Sequence, residues 1–319
     1  MTYWGIVGLG KIAHHFVKDL ALVKDANLYA VASRTTEKAM EFSNEYGATV
    51  SYGSYEALFK DPKVTVVYIA TPHSSHAKWA MAALKAGKHV LCEKPLGMNL
   101  EEVLAMTAMA KKQGLFLMEA LWTRFNPSMV DIVSKVAQQK IGTVSYLQAD
   151  FGFYAMDNDP NSRVLNPALG GGSLLDIGIY PIFLAYLILG MPKEIMATAT
   201  YSKQGTEVQT AMIFNYENAK AVLYSGFTSK SSMVAQISGS EGLITIQSRW
   251  HETQGYDLEI ENECSTHPFP TIGRGYAHEI IAVQDAILNG QLEHPFWTHQ
   301  NSIDLSSLLD RVQKITKNQ

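Results

Sequence analysis

Two groups of residues in this 319-residue chain have types and spacings suited to chemistry. The first begins at Gly8-Leu9-Gly10-Lys11-Ile12-Ala13, which follows the apolar run Tyr3–Val7 and fits G-x-G-x-x-A. In that pattern the first glycine permits a tight turn and the second lets the backbone approach a pyrophosphate. Ala13 lets a helix lie close on the strand, and the helix start at Lys11 and Ile12 then faces the phosphates. The end of the next apolar run, Ala32-Ser33-Arg34-Thr35, carries no acid to accept from a ribose 2′-hydroxyl. Arg34 instead offers a fork for a 2′-phosphate and a plane for adenine, with Ser33 as a donor, so NADP(H) is the expected cofactor and NAD(H) the lesser one. The competing reading makes Arg34 a solvated surface arginine.

Glu93-Lys94-Pro95 follows another apolar run, where the carboxyl end of a parallel strand meets ligand. A lysine there can hydrogen-bond a substrate oxygen or hold an acid–base partner. Glu93 has a bland alternative as a surface partner, and Pro95 as a rigid or cis turn. His73 and His76 are three residues apart, a spacing zinc sites use. No third ligand with matching spacing accompanies them, so no metal is expected, and Thr71, His73 and His76 are assigned to the cofactor edge.

The second group lies in Gly170-Gly171-Gly172-Ser173-Leu174-Leu175-Asp176-Ile177-Gly178-Ile179-Tyr180. On a helix, Asp176 and Tyr180 project from one face, and three preceding glycines let the positive helix end approach a ligand. Two structural readings compete. Ser173-x-x-Asp176 has the form of a capping box, and Tyr180 can be a buried aromatic with a satisfied hydroxyl. The residues alone leave these open.

Continuously apolar strands (Tyr3–Val7, Asn27–Ser33, Val64–Ala70, Lys88–Cys92, Leu115–Glu119, with a weaker one near Val50) alternate with amphipathic helices over the first 120 or so residues. That pattern predicts parallel strands covered on both faces, a doubly wound α/β Rossmann domain over 1–121. Asn99 and Glu102 form a capping box, and Gly87 and Gly114 read as helix stops. Over 122–319 the strands cluster from Glu194 to Glu261 and the helices segregate, which predicts an α+β domain. The apolar stretch Ile177–Met191 is short for a bilayer and holds Pro181, so it reads as a buried core helix.

Composition narrows the function classes. Hydrophobic residues make up 47% and the net charge is −4, which excludes a disordered chain and gives no reason to expect nucleic acid or membrane as partner. Two cysteines, Cys92 and Cys264, fit a reducing, cytoplasmic setting. No P-loop and no G-x-S-x-G elbow occurs.

These motifs resemble the glucose–fructose oxidoreductase/inositol dehydrogenase family (Gfo/Idh/MocA), in its branch of NADP-dependent dihydrodiol and D-xylose dehydrogenases. The resemblance rests on Gly8-Leu9-Gly10, on Ala86 through Pro95, on Glu119-Ala120-Leu121-Trp122-Thr123-Arg124-Phe125, and on Gly170 through Tyr180. It implies an open-faced, mainly antiparallel second sheet that forms subunit contacts, hence a homodimer or homotetramer. It also implies Lys94 as the catalytic lysine, Tyr180 as the acid–base group, Asp176 as a substrate-side carboxylate, and Trp122 and Arg124 beside the cofactor. Inositol dehydrogenases carry histidine in place of Tyr180, which argues against inositol itself.

On that reading a substrate hydroxyl loses its proton to Tyr180 while its carbon passes hydride to the nicotinamide. A free tyrosine titrates near ~10. An ammonium about 4 Å away contributes about 4 kcal/mol at an effective dielectric near 20, or about three pKa units, so Lys94 is expected to activate Tyr180. Phe153, with Trp122, Phe125, Phe151 and Tyr154, supplies aromatic surface for a sugar, a polyol or a cyclic trans-diol. The alternative is a non-catalytic NADP(H)-binding regulator, which does not need Lys94 and Tyr180 together.

Overall fold

The apolar runs near the amino terminus become the strands of one parallel sheet. In the computed structural model, which describes residues 1–318, the order is β1 (Thr2–Val7), α1 (Lys11–Leu20), β2 (Ala26–Ala32), α2 (Thr36–Tyr46), β3 (Val50–Tyr52), α3 (Tyr55–Lys60), β4 (Val66–Ile69), α4 (His76–Lys85), β5 (His89–Glu93), α5 (Leu100–Gln113) and β6 (Leu117–Ala120). The short helix α3 was not expected from the sequence. Ser54 starts it by accepting from the Ala57 N–H, and Tyr55, Leu58 and Phe59 bury its apolar side. Asn99 caps α5 as its sequence predicts, accepting from the Glu102 N–H at 3.0 Å, but Glu102 turns to the Met98 N–H instead of completing the box. The strand order is β3-β2-β1-β4-β5-β6, with every neighbouring pair parallel. This is the doubly wound order, and its direction reverses between β1 and β4, where such sheets open a crevice at their carboxyl ends.

The chain continues through α6 (Pro127–Ala137), β7 (Val144–Gly152), a π-helical turn (Leu174–Gly178) running into α7 (Ile179–Leu189), β8 (Glu194–Tyr201), β9 (Glu207–Asn215), β10 (Lys220–Gly226), β11 (Ala235–Gly239), β12 (Gly242–Ile246), β13 (Gly255–Ile260), β14 (Glu263–Pro268), α8 (Tyr276–Leu288) and α9 (His299–Lys317). The second sheet has the order β14-β13-β12-β11-β7-β10-β9-β8 and is antiparallel except between β7 and β10. Period-two alternation separates its faces. Ile195, Phe214, Ala221, Leu147, Ile237, Ile244 and Leu258 follow one another across seven strands in register, and all are buried. The next row, Met196, Ile213, Val222, Gln148, Gln236 and Thr245, lies on the opposite face, and its first three members are exposed. Helix α7 is apolar all round because it packs against β7 and β10, with Ile179 through Ala185 buried. Within the apolar segment Pro167–Leu189, 78% of the most apolar 18-residue stretch is buried, as expected for a core helix.

The division of the chain differs from the one its sequence suggests. One compact unit is Met1–Phe125 with Thr271–Ile303, and the other is Asn126–Pro270 with the chain from Asp304 onward. Helix α8 therefore returns to the first unit instead of joining the rest of 122–319. The physical reason is Asp19 of α1, whose buried carboxylate accepts from the N–H groups of Arg274 (3.0 Å), Gly275 (2.9 Å) and Ala277 (3.3 Å). It caps α8 from far along the chain, and Trp4 adds a bond from Nε1 to Gln284 Oε1 at 3.3 Å. A charged acceptor at a helix start is favourable on both hydrogen-bond and dipole grounds. Asp19→Ala is expected to lower unfolding stability by about 2 kcal/mol, with Asp19→Asn losing less. Urea denaturation checks this, and equal midpoints for the wild type and the alanine variant would refute the capping role.

Candidate active site

Because all six strands of the first sheet are parallel, the residues just beyond their carboxyl ends share one edge. Gly8 follows β1, Ser33 and Arg34 follow β2, Thr71 and His73 follow β4, Glu93 ends β5 with Lys94 just beyond it, and Trp122 and Arg124 follow β6. Gly8 has φ +86°, and a Cβ there would lie 2.5 Å from the Ala70 carbonyl and 2.6 Å from the Thr71 nitrogen, so only glycine lets this turn meet the end of β4. Gly10 differs: a Cβ there would have nothing within 4 Å. The fold itself leaves that side open, as backbone contact with a ligand requires. Helix α1, which begins at Lys11, has no side-chain cap and no acid in its first turn. The Thr71 hydroxyl oxygen is buried with no hydrogen-bond partner among the described residues. An uncapped helix end, an open glycine and an orphan hydroxyl at the switch point fit the phosphates of a dinucleotide. Ser33 is buried with its N–H on the Tyr52 carbonyl, while Arg34 is exposed and makes no ion pair among the described residues.

The Lys94 turn is fixed residue by residue. The Lys94 N–H donates to Glu93 Oε2 at 3.3 Å, His76 Nδ1 meets the Pro95 carbonyl at 2.7 Å, and the Leu96 N–H donates to Glu119 Oε1 at 2.9 Å. The Lys94–Pro95 bond is cis. The other His76 nitrogen meets the Thr71 carbonyl at 2.8 Å. Both of these neighbours are acceptors, so both ring nitrogens must carry hydrogens for both bonds to form. His76 is thereby a clamp between two strand ends, and His73 packs edge-on against it at 5.6 Å. Glu93 is buried and accepts from the Tyr68 hydroxyl, so it is no surface partner. Glu119 is fully enclosed and also accepts from Ser302 at 2.7 Å and Trp297 at 3.3 Å. Burial pushes its carboxyl up, and those hydrogen bonds oppose the shift.

Trp122 is buried and stacks on Tyr276 at 4.5 Å. Arg124 is buried too, with Nε donating to the Phe296 carbonyl at 3.0 Å and the guanidinium 4.6 Å from that ring's centroid. Burial draws its pKa down to about 10, which leaves it cationic at neutral pH. Its Nη1 has no hydrogen-bond partner among the described residues, so a buried cationic donor remains for an anionic ligand.

Asp176 and Tyr180 lie in the second unit, and Lys94 in the first. Neither the capping box nor the ligand-facing helix end expected at Ser173 forms. Glu207 of β9 occupies that end instead, accepting from the Leu174 N–H at 2.7 Å and the Ser173 hydroxyl at 2.8 Å. The glycines serve packing: a Cβ on Gly171 would sit 2.7 Å from the Asn166 carbonyl oxygen and 2.8 Å from that of Arg163. Asp176 is freed from capping and accepts from Nη1 and Nη2 of Arg163, at 3.0 and 3.3 Å. The Tyr180 ring packs with Phe151 (5.6 Å between centroids) and His251 (5.4 Å). Phe153 is half-buried and packs on Phe227 at 5.2 Å, whereas Tyr154 is exposed and bonds Asp157. The partners Arg163, Glu207 and His251 carry no local motif that would mark them in the sequence. Only the fold brings them to Asp176 and Tyr180.

In the first unit a dinucleotide-shaped sheet edge with a rooted lysine defines a nucleotide-binding Rossmann domain, and in the second unit one helical segment carries a carboxylate and a phenol. Residues 3–121 match an oxidoreductase family with an NAD-binding Rossmann fold, and residues 130–245 match the GFO/IDH/MocA C-terminal domain. Trans-1,2-dihydrobenzene-1,2-diol dehydrogenase of Sus scrofa is 35% identical over 326 residues, covering 98% of this chain and 96% of its own. Among solved structures, a 3-ketoreductase from Actinomadura kijaniata in complex with NADP and TDP-benzene is 27% identical with TM-score 0.89, and an aldose-aldose oxidoreductase from Caulobacter crescentus complexed with glycerol is 26% identical with TM-score 0.91. Both alignments cover 99% of this chain and 98% of the other. The chain belongs to the GFO/IDH/MocA oxidoreductase family, and it is an enzyme.

Behind the Lys94 turn lies Glu279 of α8, fully buried, with neither carboxyl oxygen hydrogen-bonded to a described residue. Burial, and then the charges of Glu93 and Asp19, raise its pKa well above the carboxyl range. The folded protein thus keeps a proton that the unfolded chain releases above its ordinary carboxyl pKa, so wild-type stability falls as pH rises through that window. Glu279→Gln removes this component. Its stability relative to wild type is expected to grow between pH 5 and pH 7 by up to about 1.4 kcal/mol per pH unit. A pH-independent difference in urea midpoints would contradict the buried, protonated state.

Proposed function

We propose that this enzyme is an NADP(H)-dependent dehydrogenase that oxidises one hydroxyl of a sugar, a polyol or a cyclic trans-diol, and reduces the corresponding carbonyl in reverse. The observation that carries the reading is the Lys94 turn, in which buried side chains fix the root of an otherwise flexible lysine at the dinucleotide edge. When bound, the nicotinamide supplies hydride transfer. Gly8, Gly10, Lys11, Ile12 and Arg124 would hold its phosphates and ribose, with Thr71, His73, His76, Glu93 and Trp122 along the same edge. Ser33 and Arg34 favour the 2′-phosphate because that strand end has no carboxylate to prefer a free ribose.

The chain's own residues supply the proton chemistry. Tyr180 takes the hydroxyl proton, Lys94 hydrogen-bonds a substrate oxygen, and Asp176, paired with Arg163, accepts from the neighbouring hydroxyl. Phe153 adds apolar surface for the substrate. The complex of the Actinomadura ketoreductase with NADP and the activity named for the dihydrodiol dehydrogenase of Sus scrofa both support this reading. NADPH formation at 340 nm over a panel of sugars and vicinal diols tests it. Wild type is expected to prefer NADP over NAD, and Lys94→Met to lose about three orders of magnitude in turnover with NADPH affinity kept. An unimpaired variant, or NADPH binding with no turnover of any substrate, would sink the proposal.

We further propose that the exposed face of the second sheet joins copies of the chain into a homodimer or homotetramer. Met196, Ile213 and Val222 make an exposed apolar row there, 48%, 39% and 41% accessible, which a partner surface would cover. Sedimentation should show an oligomer for wild type and a smaller species for Val222→Asp, whereas a monomeric wild type would exclude the interface.

A further inference from the structure

Within the second unit, a line of buried hydroxyls ties the π-helical turn ahead of α7 to two strands of the sheet and converges on Glu207. Oε1 of Glu207 accepts from the Thr210 hydroxyl at 2.7 Å and the Ser173 hydroxyl at 2.8 Å, and Oε2 accepts from the Leu174 N–H at 2.7 Å. Ser173 gives its single proton to Glu207, so the Ser225 hydroxyl, 3.0 Å away, must donate to Ser173. Ser173, Thr210 and Ser225 are all fully buried. Two glycines allow the close approach. A Cβ on Gly172, at φ +131°, would lie 3.2 Å from the Glu207 carbonyl oxygen, and one on Gly178 would lie 2.7 Å from Ser225 Oγ. The turn is therefore held against β9 where it begins and against β10 where it ends.

A π-helical turn closes its backbone bonds one residue further along than an α-helix, so it shifts the residues inside it relative to the helix that follows. Asp176 lies inside this turn, and Tyr180 is the second residue of α7. A competing arrangement is available to the same residues: in a Ser173-x-x-Asp176 capping box, Asp176 folds back to the helix start. Asp176 cannot serve there and pair with Arg163 at once, and in the structure it pairs with Arg163. We infer that Glu207 is a positioning residue for the reaction: by holding the Leu174 N–H and the Ser173 hydroxyl it keeps Asp176 away from the helix start and fixes the turn that presents Asp176 and Tyr180 to substrate. Glu207 acts through the turn and not on the substrate. This inference rests on the roles given above to Tyr180 and Asp176.

The test measures kcat and KM with NADP for whichever of D-xylose and trans-1,2-cyclohexanediol the wild type oxidises faster. Glu207→Ala should lower kcat/KM about 100-fold, as expected for a displaced active-site group, with NADPH affinity within about twofold of wild type. Glu207→Gln keeps the shape and one acceptor, and should recover at least about tenfold of that loss. A merely structural loss multiplies with others, whereas a loss that runs through Asp176 does not. The double variant of Glu207→Ala with Asp176→Ala should therefore fall at least about tenfold short of the product of the two single losses. If the alanine variant fails to fold, the same cycle is run with Glu207→Gln, whose smaller loss should likewise fail to multiply. A crystal structure of the Glu207 variant reads the placement without catalysis, and should show the Asp176 carboxylate moved from Arg163 to the helix start. Losses that simply multiply, a glutamine variant no better than alanine, or an unchanged Asp176–Arg163 pair would overturn the role of Glu207 while leaving the dehydrogenase intact. A wild type that binds NADPH yet oxidises neither compound, nor anything else in the panel, would instead overturn the dehydrogenase reading, and the crystal structure would still decide whether Glu207 holds the turn.

Discussion

Three consecutive residues of one turn, Lys94, Pro95 and Leu96, are each held by a buried titratable side chain from a different element: Glu93 of β5, His76 of α4 and Glu119 of β6. Each holder is held in turn. Tyr68 donates to Glu93, the Thr71 carbonyl takes the second nitrogen of His76, and Ser302 and Trp297 donate to Glu119. In a low-dielectric interior such bonds strengthen and their loss becomes costly, so the turn has one arrangement instead of several. A lysine on a flexible four-carbon stem is an imprecise tool unless its root is fixed. The rest of the first unit follows from this constraint, because only a parallel sheet brings the ends of β4, β5 and β6 to one edge with helices covering both faces.

That placement also sorts charge. The carboxyls near the turn, Glu93, Glu119 and Glu279, are all buried behind it, and burial pushes Glu119 and Glu279 up toward the neutral form. The positive features are left without carboxylate partners among the described residues: the α1 end, the Arg124 guanidinium and the exposed Arg34. A site for a polyanionic nucleotide needs this bias, since an internal carboxylate on any of the three would compete with the phosphates.

The sequence makes the frame legible and hides most of its fastenings. Val66–Ile69 and Val90–Cys92 read as parallel strands because burial on both faces leaves no room for alternation. Gly8 was readable because its positive φ and its approach to Ala70 demand glycine. Asp19 was not, since it looks like any helical acid until α8 arrives to be capped. The fastening roles of Glu119 and His251 were hidden for the same reason, and His76, though singled out in the sequence for the cofactor edge, gave no sign that it would clamp the Pro95 carbonyl. Their partners lie in segments that only the tertiary fold brings near, and no local spacing encodes them. The edge strand β14 escaped because Glu263–Pro268 is mostly exposed and pairs on one side only, so burial leaves no imprint on its residues.

Glycine-rich entries into helices show why such signals need the structure to decide them. Gly8-Leu9-Gly10 before α1 and Gly170-Gly171-Gly172 before the π-helical turn both suggest a positive helix end opened to an anion. At α1 no side chain of the fold supplies an acceptor, and the Gly10 side is empty space. Ahead of α7, Glu207 already takes the Leu174 N–H and the Ser173 hydroxyl, so that end is satisfied from within. The satisfied end has its own consequence. With Glu207 as the cap, Asp176 is released from the capping box its spacing suggests and is left to Arg163. One carboxylate, contributed by a strand 33 residues further along the chain, therefore decides that a residue which could have capped a helix start instead pairs with Arg163.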